Sequence, residues 1–290
     1  MRNVISVDVE EYFHSHEVSA GRDQRLWAGF PARVETATAR VLELFDAHRV
    51  RGTFFILGWV AERYPRLVRR IAAAGHEIGC HSHLHRLVYE LSPEEFRSDT
   101  LRAQAAIADA CGTRPRLYRA PSYSITRRSL WALEILAECG FTHDSSIYPI
   151  RHDRYGIPGS HRHPYTIPTP SGPILEVPPA TVRLAAGVVT PVGGGAYLRL
   201  FSYRYTAAGI RLLNRQEQHP ACIYFHPWEM DPEQPRLATG VVSRLRTYTG
   251  VAGMRAKLDR LLSEFRFTTM SAIHRSHPRQ QAYEALAACS

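Results

Sequence analysis

The 290-residue chain has little cysteine, almost no lysine and no long apolar run. Its five cysteines (Cys80, Cys111, Cys139, Cys222 and Cys289) are odd in number, scattered, and never paired as CxxC. That argues against a disulfide framework or a zinc ribbon and predicts reduced, mostly buried thiols. No apolar stretch approaches the roughly 18 residues that a membrane span needs. The N-terminus, MRNVISVDVEEYF, lacks the apolar core and cleavage site of a secretory leader, so the expected location is cytoplasmic. Runs of five or more basic residues are also missing. The formal charge of +9 comes from 36 Lys+Arg, nearly all arginine and dispersed, against 27 Asp+Glu. An arginine-rich composition explains this more economically than nucleic-acid binding. A membrane surface or lipid phosphate stays open as an anionic partner.

What the chain does have is a repeating alternation of strand and helix patterns, and at 44% hydrophobic it can bury one large core. Residues 3–8 read as a buried strand, and Val34, Thr38, Val41 and Phe45 follow at helical spacing. Strands are expected at 52–57, 76–82, 116–121 and 141–147, with helices near 59–74, 93–111 and 128–139 between them. The third helix has a capping box of Ser92 and Glu95 with Pro93 at its first position, and Gly112 stops it. Residues 148–173 look like a long loop. Strands resume at 174–182 and 221–228, with a glycine loop and a helix near 203–217 between them, and a last helix starts at Val251. Repeated βα units, seven or so strands and no dinucleotide glycine fingerprint predict one α/β domain, a closed or nearly closed βα barrel. Residues 274–290 form a tail with no clear role. In such a barrel the chemistry sits at the C-terminal ends of the strands.

Those ends carry a consistent set of residues. The first strand ends in Asp8-Val9-Glu10, the third in residues 81–85 (HSHLH), the fourth in Arg119, and the strand at 221–228 carries His226. Residues i and i+2 of a strand share a face, so Asp8 and Glu10 present two carboxylates to one spot. One can bind a cation while the other serves as a base. His81 and His85 at i, i+4 on a helical turn would meet one ion, with His83 pointing away. Two histidines and a carboxylate leave a coordination position open for water, as catalytic sites do. Each feature alone has an ordinary structural explanation, such as a helix-terminal acid cluster, surface histidines or an ion-pair arginine. Their joint placement on successive strand ends favours metal-assisted hydrolysis.

The same stretches resemble the polysaccharide deacetylases that share the chitooligosaccharide-deacetylase homology domain. HSHLH fits the H-[ST]-x-x-H motif, SVDVEEYFH the first motif, RAPSYS the R-x-P motif, FTHDSSI the fourth and IYFHPWE the last. The RYGIP loop and HPWE are similar to the variety without signal peptide found with exosortase and exopolysaccharide gene clusters. The resemblance implies a single α/β domain, a distorted (β/α)7 barrel over 1–273, with Glu10, His81 and His85 as ligands of a divalent metal, zinc first, with cobalt, nickel, manganese or iron as alternatives. It implies Asp8 as general base, Arg119 as the group that orients it, His226 as general acid and the Ser122 backbone N–H as oxyanion donor. Asp144, Tyr155 and Trp228 are expected as supports or substrate contacts. The implied reaction removes an acetyl group from an N-acetylated sugar of a polysaccharide, oligosaccharide or lipid-linked glycan, with no nucleic acid involved. The commonest first motif has adjacent aspartates, whereas this chain has Asp-x-Glu, which puts the role of Glu10 in question. Hydrolysis of a cyclic amide and a non-catalytic carbohydrate-binding barrel are the alternatives.

Overall fold

Strand β1 (Asn3–Val9) is buried along its whole length, and its two faces carry different chemistry. Ile5, Val7 and Val9 join the main apolar layer between sheet and helices, while Val4 belongs to a separate cluster on the other face. Strand alternation puts Ser6 and Asp8 on that second face with Val4. The computed structural model describes residues 1–15, 18, 23–237, 239–273 and 279–280.

From β1 the chain runs through α1 (Val34–Ala47), β2 (Thr53–Ile56), α2 (Gly58–Arg63), α3 (Pro65–Ala73), β3 (Glu77–Cys80), α4 (Pro93–Cys111), β4 (Leu117–Tyr118), α5 (Trp131–Glu138) and β5 (His143–Asp144). Next come β6 (Tyr165–Ile167), β7 (Ile174–Glu176), β8 (Thr181–Arg183), β9 (Val189–Pro191), α6 (Gly195–Leu200) and α7 (Tyr203–Leu212). The last elements are β10 (Cys222–Phe225), α8 (Val241–Tyr248), α9 (Val251–Glu264), β11 (Phe267–Thr268) and β12 (Arg279–Gln280).

Seven strands are parallel in the order β10-β1-β2-β3-β4-β5-β7. β6 returns antiparallel along β7, and β11 pairs with the start of β1. Among the described residues β7 and β10 do not pair, so the sheet curls without closing. Residues 177–180 span that gap. Val177 N–H donates to Asp144 O, and Ala180 N–H donates to Cys222 O at 2.9 Å. Between them Pro178 and Pro179 have no N–H to continue a ladder. This is the expected distorted barrel of seven parallel strands, left open at one seam.

The sequence reading differs from the structure where proline or glycine cuts a pattern. The helix near 59–74 is two helices, because Pro65 starts α3 at its first position and Tyr64 has φ −128°. The strand at 174–182 is split by the proline pair into β7 and β8. The loop 148–173 contains β6, and the helix near 203–217 ends as α at Leu212 and continues as a π turn. The β8–β9 hairpin and helices α6 and α8 were not expected. The capping box of α4 is present, with Gly112 at φ 74°. The four described cysteines are free thiols, three of them buried. Cys289 and the tail, apart from the β12 backbone, lie outside the described residues.

The barrel interior is narrow. Val4, Phe55, Leu117, Leu175, Val177, Cys222 and Met270 fill its lower part. Cross-strand register puts Ser6 beside Tyr224 and Thr53, and Asp8 beside Phe55, so all of these share the inner face. Gly79 makes room for Phe55, since a Cβ there would sit 2.5 Å from the ring. Phe55 in turn carries the Arg119 guanidinium 4.3 Å from its ring centroid. Gly79→Ala is therefore expected to cost about 1–3 kcal/mol through overpacking, read as a lower urea midpoint. An unchanged midpoint would mean that the ring has room to yield.

Candidate active site

A cavity of about 290 Å³ opens at the C-terminal ends of β1, β3, β4 and β10, lined among others by Asp8, Glu10, His81, His85, Ser122 and His226. That is the small end of ligand pockets and suits one ring-sized group. All the strand-end residues singled out from the sequence converge on it except Arg119, which lies fully buried behind Asp8.

Residues 81–85 reach the cavity by a route the sequence reading missed. They form a loop and not a helical turn. His81 N–H extends the ladder to Ile56 O at 2.9 Å, and the backbone then turns through left-handed conformations at Ser82 (φ 62°) and His85 (φ 52°). The Asp99 carboxylate on α4 accepts from the N–H groups of His83 (2.7 Å) and Leu84 (3.2 Å) and pins the turn. The result still brings the His81 and His85 rings to 5.4 Å between centroids. His83 faces away, against Glu62 at 3.6 Å.

Glu10, His81 and His85 offer donor atoms that all lie within 4.8 Å of one another. Glu10 Oε2 is 2.7 Å from His85 Nε2 in a geometry that makes no hydrogen bond, so this buried oxygen has no hydrogen-bonding partner. An orphaned buried carboxylate oxygen beside two imidazole nitrogens is the environment a cation would satisfy. His81 Nδ1 lies 2.8 Å from Arg119 O, which assigns its proton to Nδ1 and leaves Nε2 as a lone pair toward Glu10. Burial lowers the His81 pKa to about 4, so it is neutral as a ligand must be. Burial alone would raise Glu10, but chiefly the neighbouring His85 and His226 hold it well below the usual carboxylate range. Trp228 Nε1 donates to the other oxygen, Glu10 Oε1, at 3.1 Å and fixes the carboxylate's orientation. His14, which the sequence reading did not single out, stacks on His85 at 6.1 Å and anchors it to an aromatic cluster with Phe13 and Trp27.

Asp8 is held from the opposite side. Arg119 Nη1 donates to Asp8 Oδ1 at 2.6 Å and to Ser6 Oγ at 2.9 Å, and Nη2 donates to Ser145 Oγ at 2.9 Å. His226 Nε2 approaches both acids, 3.9 Å from Asp8 and 3.6 Å from Glu10. Its other ring nitrogen meets Glu229 Oε2 at 3.0 Å, and Glu229 is in turn paired with Arg199. Burial would lower the His226 pKa, but the Glu10, Glu229 and Asp8 carboxylates outweigh it and push it up to about 9. The pKa values of two imidazoles in one cavity are thus driven in opposite directions.

Comparison with known proteins fits this arrangement. The profile of the polysaccharide deacetylase family matches residues 21–143. This stretch is thus similar to the polysaccharide deacetylases. A domain of unknown function (DUF3473) matches residues 145–275. A Bacillus cereus peptidoglycan-N-acetylglucosamine deacetylase is 34% identical over 33% of this chain and 36% of its own length. A Bradyrhizobium chitooligosaccharide deacetylase is 38% identical over 34% of this chain and 43% of its own. The matched stretches thus span less than half of these relatives. Among solved structures, a provisionally named polysaccharide deacetylase from Mycobacterium smegmatis superposes with TM-score 0.61 at 22% identity, covering 96% of this chain and 92% of the other. A peptidoglycan N-acetylglucosamine deacetylase gives 0.51 at 17% identity, covering 96% and 90%. These two share the barrel fold.

The segment of unknown function is not a separate body. The boundary between the two matches falls at β5, which is hydrogen-bonded to β4 on one side and β7 on the other. The second segment completes the barrel with β7 and β10 and supplies His226, Trp228, Glu229 and Arg199. Of these last two, Glu229 was quoted only within HPWE and Arg199 had no local signal.

Three further residues of the barrel fall into place. Ser122 lines the cavity, and it and Tyr123 have left-handed backbone at φ 50° and 53°. Two such residues cost of order 1–3 kcal/mol each and persist only where neighbours hold them. Asp144 is one such neighbour. Its carboxylate accepts from Ser146 Oγ, which accepts from Ala120 N–H at 2.8 Å. Its register with Tyr118 puts it on the outer face of the sheet, away from the cavity. Burial raises its pKa to about 6, and burial beside Asp144 lifts Glu176 further, so the pair holds a proton. Tyr155 lines the cavity wall, stacked on His152 at 3.8 Å and within 3.2 Å of the Tyr197 hydroxyl.

The raised His226 pKa yields a prediction readable without turnover. Glu229→Gln removes one anion beside the ring, so the imidazolium of the metal-free protein should titrate below about 9. NMR titration of the His226 ring reports this directly. A pKa unchanged in the variant would mean that Glu229 plays no part in charging His226.

Proposed function

We propose that the chain is a metal-dependent N-deacetylase that hydrolyses the acetamide of an N-acetylhexosamine unit in a glycan. The observation that carries this is the meeting, in one cavity, of an arginine-held carboxylate, a set of two histidines and one carboxylate, and a charged histidine. Glu10, His81 and His85 would hold the cation, zinc by donor type, leaving a position open. When bound, it supplies polarisation of the acetyl carbonyl and a water of pKa about 7.

The rest is done by the chain's own groups. Asp8, fixed by Arg119, takes the proton of the attacking water, a role typically worth 10²–10⁴-fold. The Ser122 N–H donates to the oxyanion as the carbonyl carbon becomes tetrahedral. His226 gives its proton to the sugar nitrogen, so that a neutral amine leaves. Glu229, kept ionised by Arg199, holds that proton on His226 until it is needed. Tyr155 and Trp228 border the sugar, and Asp144 supports the Ser122 loop from behind. We read residues 1–273 as the working unit.

The finer reading is a cytoplasmic enzyme of exopolysaccharide synthesis acting on a lipid-linked glycan at the inner membrane face. What supports it is the resemblance of the DVEEYF, RYGIP and HPWE stretches, together with the basic charge. A pseudoenzyme from Bacillus anthracis shares the fold at TM-score 0.50 and 13% identity, so the barrel alone does not carry activity. Here both Asp8 and a charged His226 are present, and binding alone would need neither.

The test is mass spectrometry of N-acetylated oligosaccharides incubated with the metal-loaded protein. The expected result is loss of one acetyl group with release of acetate, abolished by a chelator. Ring opening of a cyclic ureide without acetate release would replace this reading with the cyclic-amide one.

A further inference from the structure

Helix α8 is turned the wrong way round for a surface helix. Its aliphatic residues Val241, Val242 and Leu245 are 75%, 61% and 57% exposed, while Thr247 is buried. A helix on a globular protein ordinarily buries its apolar stripe. Here the attachment is polar. The Arg199 guanidinium donates to the carbonyls of Arg246 (2.6 Å) and Thr249 (2.7 Å) and so clamps the end of α8 to the barrel.

At roughly 100° per residue the three aliphatic side chains share one stripe, with Arg244 and Arg246 flanking it on either side. The charge of the surrounding segment has a single sign. Residues 234–258 contain Arg236, Arg244, Arg246, Arg255 and Lys257 and not one carboxylate. The nearest preceding acid, Glu233, is engaged by Arg33 and Arg40. The helix also reaches the cavity, because Arg246 lines it together with Leu200, which is itself 47% exposed.

We propose that α8 is a docking surface for an anionic phospholipid bilayer, holding the cavity mouth against the membrane. An exposed aliphatic stripe flanked by arginines fits the headgroup–acyl boundary, with the aliphatics inserted and the guanidiniums on lipid phosphates. No described helix is long and apolar enough to cross a membrane. A second copy of this chain fits less well, because pairing two such faces brings like charges together. The inference goes beyond the proposed reaction and is read out without it.

The test is co-sedimentation of the full chain with vesicles of phosphatidylcholine mixed with phosphatidylglycerol, against phosphatidylcholine alone. Binding to the anionic vesicles only, weakened by salt, is expected. Joining Val241→Asp and Leu245→Asp should lower it roughly tenfold or more. The same variant should keep its thermal midpoint and any acetate release from a soluble oligosaccharide. Failure of the wild type to bind anionic vesicles, or equal binding by the double variant, would overturn the proposal. Dimerisation of the wild type that the double variant abolishes, without vesicle binding, would assign the face to a second copy.

Discussion

Arg119 is the residue on which the rest of the site depends. Its guanidinium is completely buried inside the barrel, where an unpaired charge would be prohibitive. It is satisfied by Asp8, Ser6 and Ser145 and rests on the face of Phe55. Those contacts tie β1 to the segment after β5 and aim the Asp8 carboxylate. The carbonyl of the same residue accepts the His81 Nδ1 proton, so one amino acid orients both the carboxylate and the nearest imidazole. Burying such an ion pair adds little net stability compared with an apolar core. Its benefit is a base and a ligand that need no rearrangement.

Around that pivot the cavity divides its protons. Burial keeps His81 neutral, whereas three carboxylates keep His226 charged. Groups of one type driven apart in pKa are what acid–base chemistry at a single centre calls for. The segment of unknown function supplies the charged side of this division, through β10, Glu229 and Arg199. Arg199 also clamps α8, which ties the exposed face of that helix to the same network.

Much of this was legible in the sequence. Strand alternation predicted that Asp8 and Glu10 share a face, and the βα rhythm predicted the parallel barrel and the rim where the residues meet. The capping box and Gly112 marked α4 correctly. Local patterning failed where the cause is tertiary. His81 and His85 meet through two left-handed turns pinned by Asp99, sixteen residues after His83 in sequence, not through helical spacing. Arg199 reaches Glu229 across thirty residues with no motif to mark it. Proline splits at Pro65 and at Pro178-Pro179 were visible in the sequence but outweighed by apolar periodicity. Helix α8 escaped notice because its pattern is right for a helix but its apolar face has no partner in the fold.

The central claim is a division of labour between the two acids of β1 and the turn after it. The most direct measurement is metal content and turnover of Asp8→Asn and Glu10→Gln, made side by side on folded protein. The account predicts that Asp8→Asn keeps its metal and loses turnover by the 10²–10⁴-fold typical of a missing general base. It predicts that Glu10→Gln loses metal at limiting concentrations and regains part of its activity when metal is in excess. Loss of metal from Asp8→Asn with retention in Glu10→Gln would reverse the two roles, and full turnover in both variants would contradict the mechanism.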